Sequence, residues 1–278
     1  MHKKAYDIGQ QLGNTSFAST HQQFLIVRQL HAGTNLLDLK EELEFNIKTI
    51  EQYCSFPVVG MKLRYYYEAV LTLIGEESSS LSIKQDEGSH HGQELAFVES
   101  KMMWLVYLGY YDRARHMALR WKLLSGDNQA KQVKFREIYV NFYYGLSDIA
   151  LRRQKNVKRK KVPEKEWLNV VINAAECSEW NFQNKASLLL AEKLSSSSKH
   201  EKAEVHYMKA IEESRSSHFV HEEGLACELA GMHYGRRGDI TKAKELFQQA
   251  ENCYETWGSA AKSRQVQKKI KSINLKQP

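Results

Sequence analysis

Two fourteen-residue stretches, forty positions apart, constrain what this chain can fold into more than any other feature. KHEKAEVHYMKAIE at 199–212 and DITKAKELFQQAEN at 239–252 superpose without a gap, so Ala203, Tyr207 and Ala210 fall on Ala243, Phe247 and Ala250. A third copy, GYYDRARHMALRW at 109–121, brings Ala114 and Ala118 to the same face. Residues three and four apart share one side of an α-helix, so the alanines form a strip on which a second helix can lie close. Twelve residues before Ala203 and Ala243 stand Ala191 and Gly231, small again. The unit is therefore helix, turn, helix. One such pair cannot bury its apolar face alone, so neighbouring pairs must stack.

The rest of the chain follows the same helical period. Phe17–His31 has an apolar face of Phe17, Phe24, Leu25, Val27 and Leu30, ended by Ala32-Gly33. Thr34 or Asn35 caps the next helix, Leu36–Tyr53, and Ser55-Phe56-Pro57 breaks the chain before Val58–Ile74 and Gly75. The period is lost in EESSSLSIKQDEGSHHG at 76–92, a flexible surface loop in which His90-His91 has no further ligand at metal spacing. Helices resume over Glu94–Leu108, Asp112–Leu124 and Gln132–Arg153. The spacing of Phe135, Tyr139, Phe142, Tyr143 and Tyr144 assigns them to core or groove lining rather than to a cofactor. A basic stretch, RRQKNVKRKKVPEKE, closed by Pro163, leads to a helix Trp167–Trp180 and to helices at 182–194, 199–215, 219–235, 239–256 and 259–270. SSSS at 195–198 supplies a turn that can cap the helix after it. Only three prolines interrupt all this, and no period-two alternation points to a sheet. The expected fold is all-α: an α-α superhelix, or solenoid, of degenerate helical pairs. Its parts are an irregular lead-in (1–16), N-terminal repeats (17–154), a basic linker (155–166), and C-terminal repeats with a capping helix (167–278).

Composition excludes several classes. No apolar run approaches the ~18 residues of a membrane span; the most hydrophobic, MMWLVYLGYY, stops at Asp112. The opening MHKKAYDIGQQLG has no apolar core behind its lysines, unlike a secretory signal. Four cysteines, scattered singly, point to a reduced intracellular compartment, with Cys177 and Cys227 as small buried hydrophobes. The net charge of +7 is local to the basic stretch and the tail Lys262–Lys276, where Val266, Ile270 and Ile273 suit a capping helix with a polar outer face. Lys158, Arg159, Lys160 and Lys161 fit a solvated loop, a nuclear-import signal or a nucleic-acid contact. The expected location is cytoplasmic, with nuclear entry through that linker as the alternative. A nucleic-acid-associated solenoid using linker and tail is the alternative function. His221-Glu222-Glu223 is not a zinc-protease motif, because Leu225 stands where the second histidine belongs. His221 is expected to cap or hydrogen-bond near its helix start. Phosphate-loop and protein-kinase signatures are missing. No nucleophile, base and orienting group can be assembled, so no enzyme, metal or cofactor is expected.

A small residue in one helix, a turn, then alanine, an aromatic and alanine in the next resembles the tetratricopeptide repeat, and the turn GDITKA at 238–243 is especially close to it. The period of forty exceeds that repeat's usual ~34 residues. The resemblance implies that Ala191, Ala203, Tyr207, Ala210, Gly231, Ala243, Phe247, Ala250 and Trp257 pack helix on helix, and that the stack curves around a concave, protein-binding surface. The closing third resembles a narrower group: the C-terminal helical segment of large multi-domain signalling proteins with a central predicted ATPase, among them hybrid signal-transduction histidine kinases and related serine/threonine kinases. Phe219, Val220, His221, Glu222, Glu223, Ala226, Glu228, Leu229, Ala230, Tyr254, Trp257, Gly258, Ala260 and Lys262 match its pattern, Gly224 departs from it, and NFQNKASLLLAE at 181–192 matches a further part. The resemblance implies a regulatory segment, stand-alone or a fragment, whose protein partners include kinase or ATPase domains.

Overall fold

A computed structural model describes residues 11–53, 57–76, 91–129, 134–154 and 164–274, together with Lys4, Ile8 and Gly9. Among the described residues there are twelve α-helices and no strand. In chain order they are α1 (Thr15–Ala32), α2 (Leu36–Tyr53), α3 (Pro57–Ile74), α4 (His91–Tyr107), α5 (Tyr111–Gln129), α6 (Lys134–Arg153), α7 (Glu164–Cys177), α8 (Glu179–Ser196), α9 (His200–Ser216), α10 (Val220–Arg237), α11 (Ile240–Trp257) and α12 (Ala260–Asn274). Each packs on its neighbours in sequence, and α1 on α3, α4 on α6, α6 on α8 and α8 on α10 add contacts to the next helix but one. The buried apolar residues form one cluster from Ile26 to Val266, drawn from both sides of residues 155–163. No helix among the described residues is long and apolar enough to cross a membrane.

The forty-residue recurrence is written into the backbone. Ser198 and Gly238 have left-handed φ of 58° and 87°, as do His218 and Gly258 at 60° and 83°. Each pair stands at the same turn of successive helical hairpins. Asn14 and Asp239 cap α1 and α11, accepting from the amides of Phe17 and Lys242 at 3.0 and 2.9 Å. Asn35 caps α2 through the amide of Leu37 at 2.9 Å.

Some contacts depart from sequential order, above all that of α12 on α3. Ser259 Oγ donates to Leu73 O at 2.6 Å, Lys262 Nζ to Tyr107 O at 2.6 Å, and Gln265 Nε2 to Leu108 O at 3.3 Å. In return Asn35 Nδ2 donates to Thr256 O at 3.0 Å. The last carbonyls of a helix lack intrahelical partners and carry the negative end of its dipole, so they attract donors and cations. The C-terminal ends of α3, α4 and α11 are thus capped by side chains distant in sequence.

Several expectations are corrected. Val27 and Leu30 are buried as expected, but Phe17 and Phe24 are 46% and 38% exposed, and α1 buries Ala18, Gln22, Gln23 and Ile26 in their place; hydrophobicity alone misassigned part of the face because two glutamines occupy it. The lead-in is not wholly irregular, since Ile8, Gly9 and Gln11 are helical and Gly9 abuts Ala18. α4 starts at His91, inside the expected loop, with Gln93 buried, and α5 runs on to Gln129. Residues 164–166 are helical rather than linker, and α7 ends at Cys177, leaving Trp180 on α8 and 57% exposed. Ser195 and Ser196 belong to α8, and the N-cap of α9 is Lys199, with no side-chain cap bond. Cys177 is exposed while Cys227 is buried. Residues 54–56, most of the 76–92 loop including His90, and the basic run with Lys158, Arg159, Lys160 and Lys161 lie outside the described residues.

A side chain at left-handed φ costs roughly 1–2 kcal/mol, partly offset by the lower chain entropy of a non-glycine residue when unfolded. Ser198→Gly is therefore expected to stabilise the protein by about 0.5 kcal/mol, and Gly238→Ala, its counterpart one repeat on, to destabilise it by about 1 kcal/mol. Urea unfolding of the two variants, which must shift in opposite directions, checks this.

Candidate partner-binding groove

α10 is buried on almost every side. Its small residues face α11: a Cβ on Gly231 would come within 2.9 Å of the Phe247 ring and 3.2 Å of Ala243 O. The nine expected packing residues, Ala191, Ala203, Tyr207, Ala210, Gly231, Ala243, Phe247, Ala250 and Trp257, are all buried. They are core and line no groove described below. Tyr207 also hydrogen-bonds Glu192, and Trp257 packs on Tyr107 and His221 at ring separations of 5.1 and 5.2 Å.

His221 does not cap its helix. It is fully buried among Tyr107, Phe219 and Trp257, and neither ring nitrogen has a hydrogen-bond partner among the described residues. Burial, then the charge of Lys185, holds its pKa well below the usual histidine range, so it is neutral.

Three buried carboxylates organise the interior. Glu222 accepts from Lys185 Nζ at 2.7 Å and Asn184 Nδ2 at 2.5 Å, and Asn184 also donates to Ser214 Oγ at 2.9 Å. Glu192 binds Arg153 and the Tyr207 hydroxyl, while Arg153 Nη2 reaches Glu192 O at 2.8 Å. Glu228 accepts from Tyr254 Oη and Lys262 Nζ, both at 2.7 Å, and from Lys269. Burial pushes the Glu228 carboxyl up, but Lys262 and Lys269 outweigh it and bring its pKa to about 2. Lys262, read from sequence as part of a basic surface tail, is only 1% exposed. The signal available in the sequence was position: Glu228 lies between Cys227 and Leu229, and Lys185 ahead of Ala186, on faces that have to be covered.

Beside these pairs lies a groove. A 510 Å³ recess between the α4–α5 turn, α10 and α12 is lined by Tyr107, Tyr111, Leu225, Met232, Lys268 and Lys269. A 180 Å³ recess shares Tyr111, Leu225 and Met232 and continues to Val106, Leu229, Arg153 and Arg236. The floor is apolar, and the polar rim is mixed in charge, because Glu228 and Glu192 line the two recesses beside Lys269 and Arg153. Burial, then the neighbouring Arg153, lowers the pKa of Arg236, against the opposing pull of Glu192.

The structure also assembles Ser195, His233 and Glu204, which sequence reading missed. Ser195 Oγ and His233 Nδ1 are 2.8 Å apart, but His233 Nε2 stands 3.7 Å from Glu204 Oε1, beyond hydrogen-bond reach, and Glu204 is bound to Arg237. Ser195 and His233 are buried at 9% and 1% exposure, so the geometry falls short of a nucleophilic triad. No group of three histidine, cysteine, aspartate or glutamate side chains among the described residues could hold a metal ion. Burial, then Cys253 and Glu223, raises the Cys227 thiol's pKa, and Cys253 is pushed up to about 12, so neither is an activated thiolate. Compared with models of known protein families and with curated proteins, the chain matches none.

Glu228 has a lower pKa folded than its ordinary 4.5, so it binds more protons when unfolded, and its stabilisation, complete above pH 4.5, is lost as pH falls towards about 2. Glu228→Gln leaves Lys262 buried without its carboxylate. It is expected to cost about 3–5 kcal/mol at neutral pH and to flatten the stability–pH curve on the acid side, as followed by urea melts.

Proposed function

We propose that this chain is a solenoid of degenerate tetratricopeptide-like helical pairs that acts as a non-enzymatic scaffold, holding a protein partner in the groove between the α4–α5 turn, α10 and α12. The observation that carries this is the groove itself: an apolar floor of Tyr111, Leu225 and Met232, open to solvent and bounded by rigid helices. Two further features support it. The forty-residue recurrence joins sequence to turn geometry at Ser198, Gly238, His218 and Gly258, and stacked helical pairs are suited to presenting long binding surfaces. The resemblance of residues 181–192 and 219–262 supports a role in signal transduction, as the regulatory segment or a fragment of a multi-domain sensor kinase. Kinase or ATPase domains are then its partners, and the cytoplasm its location.

Deleting 219–258 would remove α10 and α11 and with them much of the core, so point variants are the proper test. Peptides selected on the immobilised chain by display should compete for one site. Met232→Glu and Tyr111→Ala, both on groove residues that also pack against the core, are expected to weaken their binding at least about tenfold while lowering the thermal midpoint only as far as the lost packing requires, with a native far-ultraviolet spectrum at the assay temperature. Peptide affinities indifferent to both substitutions would remove the groove from consideration. Binding only to nucleic acid, steeply salt-dependent, would favour the alternative solenoid.

A further inference from the structure

A second cavity, of 360 Å³, opens on the other side of the buried charges, between α1, α6, α8 and the start of α10. Its lining includes Arg28, His31, Phe135, Tyr139, Phe182 and Phe219. The volume lies in the range of small-molecule sites. The rings are tilted or edge-on to one another: Phe135 and Tyr139 at 4.9 Å, Phe135 and Phe182 at 6.3 Å, Tyr139 and Phe182 at 6.2 Å. His31 lies on Tyr139 at 3.9 Å and edge-on to Phe135 at 5.9 Å, so a further ring would meet the edges that these rings leave to the cavity. Phe142, Tyr143 and Tyr144 of the same helix are core, and Tyr139, also buried, belongs to core and cavity wall at once, while Phe135 is 36% exposed.

The polar groups around this space are one-sided. No acidic residue lines it, and Arg28 is exposed with no acidic partner among the described residues. His31 Nδ1 is buried with no hydrogen-bond partner there. Burial, then the charges of His221, Lys185 and Arg136, brings the pKa of His31 to about 3, so its ring is neutral and adds no charge of its own. Lys185 stands behind the wall, its Nζ 4.7 Å from the Phe219 ring centre and 5.1 Å from that of Tyr139, neutralised by Glu222.

We propose that this cavity binds a small planar aromatic anion, its ring system among Phe135, Tyr139, Phe182 and Phe219 and its carboxylate at Arg28. The rings supply apolar contact and edge-to-face stacking, and the guanidinium supplies a charge-assisted, two-pronged hydrogen bond. This ligand is distinct from the protein partner, and the two sites do not share a residue.

The probe is 2-naphthylacetate, titrated calorimetrically into the full chain. Saturable binding is expected, with Arg28→Gln weakening it at least about tenfold, the loss of one charge-assisted contact. Phe135→Ala should weaken it several-fold. Both residues are exposed at their positions, Phe135 at 36%, so neither variant should unfold the protein, and a matching far-ultraviolet spectrum verifies that. 2-Naphthaleneethanol, which keeps the rings and lacks the charge, and cyclohexylacetate, which keeps the charge and lacks the rings, are each expected to bind at least about tenfold more weakly. Absence of binding by 2-naphthylacetate overturns the proposal, as does equal binding of the alcohol or indifference to Arg28→Gln. Met232→Glu should leave naphthylacetate affinity unchanged, so failure at one site is distinguishable from failure at the other.

Discussion

Lys262 is an ammonium group taken almost completely out of water, and a buried charge is tolerated only when its partners are in place. Its partners come from two other helices: the carboxylate of Glu228 on α10 and the last carbonyl of α4, that of Tyr107. Tyr254 of α11 and Lys269 of α12 complete the shell of Glu228. One buried ion pair thereby fixes α12 against α4, α10 and α11 together. Ser259 and Asn35 extend the same junction to α3 and α11. The groove exists because this junction holds: Tyr107, Glu228 and Lys269 are at once members of the network and walls of the recess.

The junction also determines what the helical pairs can offer a partner. Tyr107, His221, Tyr254 and Trp257 fill the space where the early and late helices meet. The fit there is close. Gly33, at φ 79°, stands so near His221 that a Cβ would lie 2.5 Å from Nδ1. Accessible surface is left at the margins of the filled interior, in the groove on one side and the aromatic cavity on the other.

The residues on which the resemblance to signalling proteins was drawn fall into buried, bonded groups. Glu228, Tyr254 and Lys262 bond to one another, Glu222 bonds to Lys185, and Trp257 packs on His221. Lys185 and Glu192 belong to NFQNKASLLLAE, and Glu192 holds Tyr207 and Arg153. A spaced set of charged and aromatic letters along the sequence is thus gathered into three buried clusters, around Glu222, Glu192 and Glu228, that together draw on six helices. A linear reading could recognise the letters but not the bonds, because each pair is separated by a turn or more of chain and by the packing of another helix.

Helix positions, the left-handed glycine turns and the small-residue faces of α8 to α11 were legible in the sequence, since a local period of 3.6 and the steric freedom of glycine act within a few residues. Phe17 and Phe24 were misplaced because apolar character says that a side chain prefers burial without saying that a neighbour will cover it. Lys262 was misplaced for the opposite reason: a lysine in a basic tail looks solvated until Glu228 and Tyr107 O are brought to it. The sequence by itself determined an all-helical chain of repeated hairpins and the alanine, glycine and aromatic contacts within them. Only the tertiary structure decided that α12 returns to α3, which charges are buried, and where cavities remain, because those depend on groups from different helices, some more than a hundred residues apart, arriving at the same place.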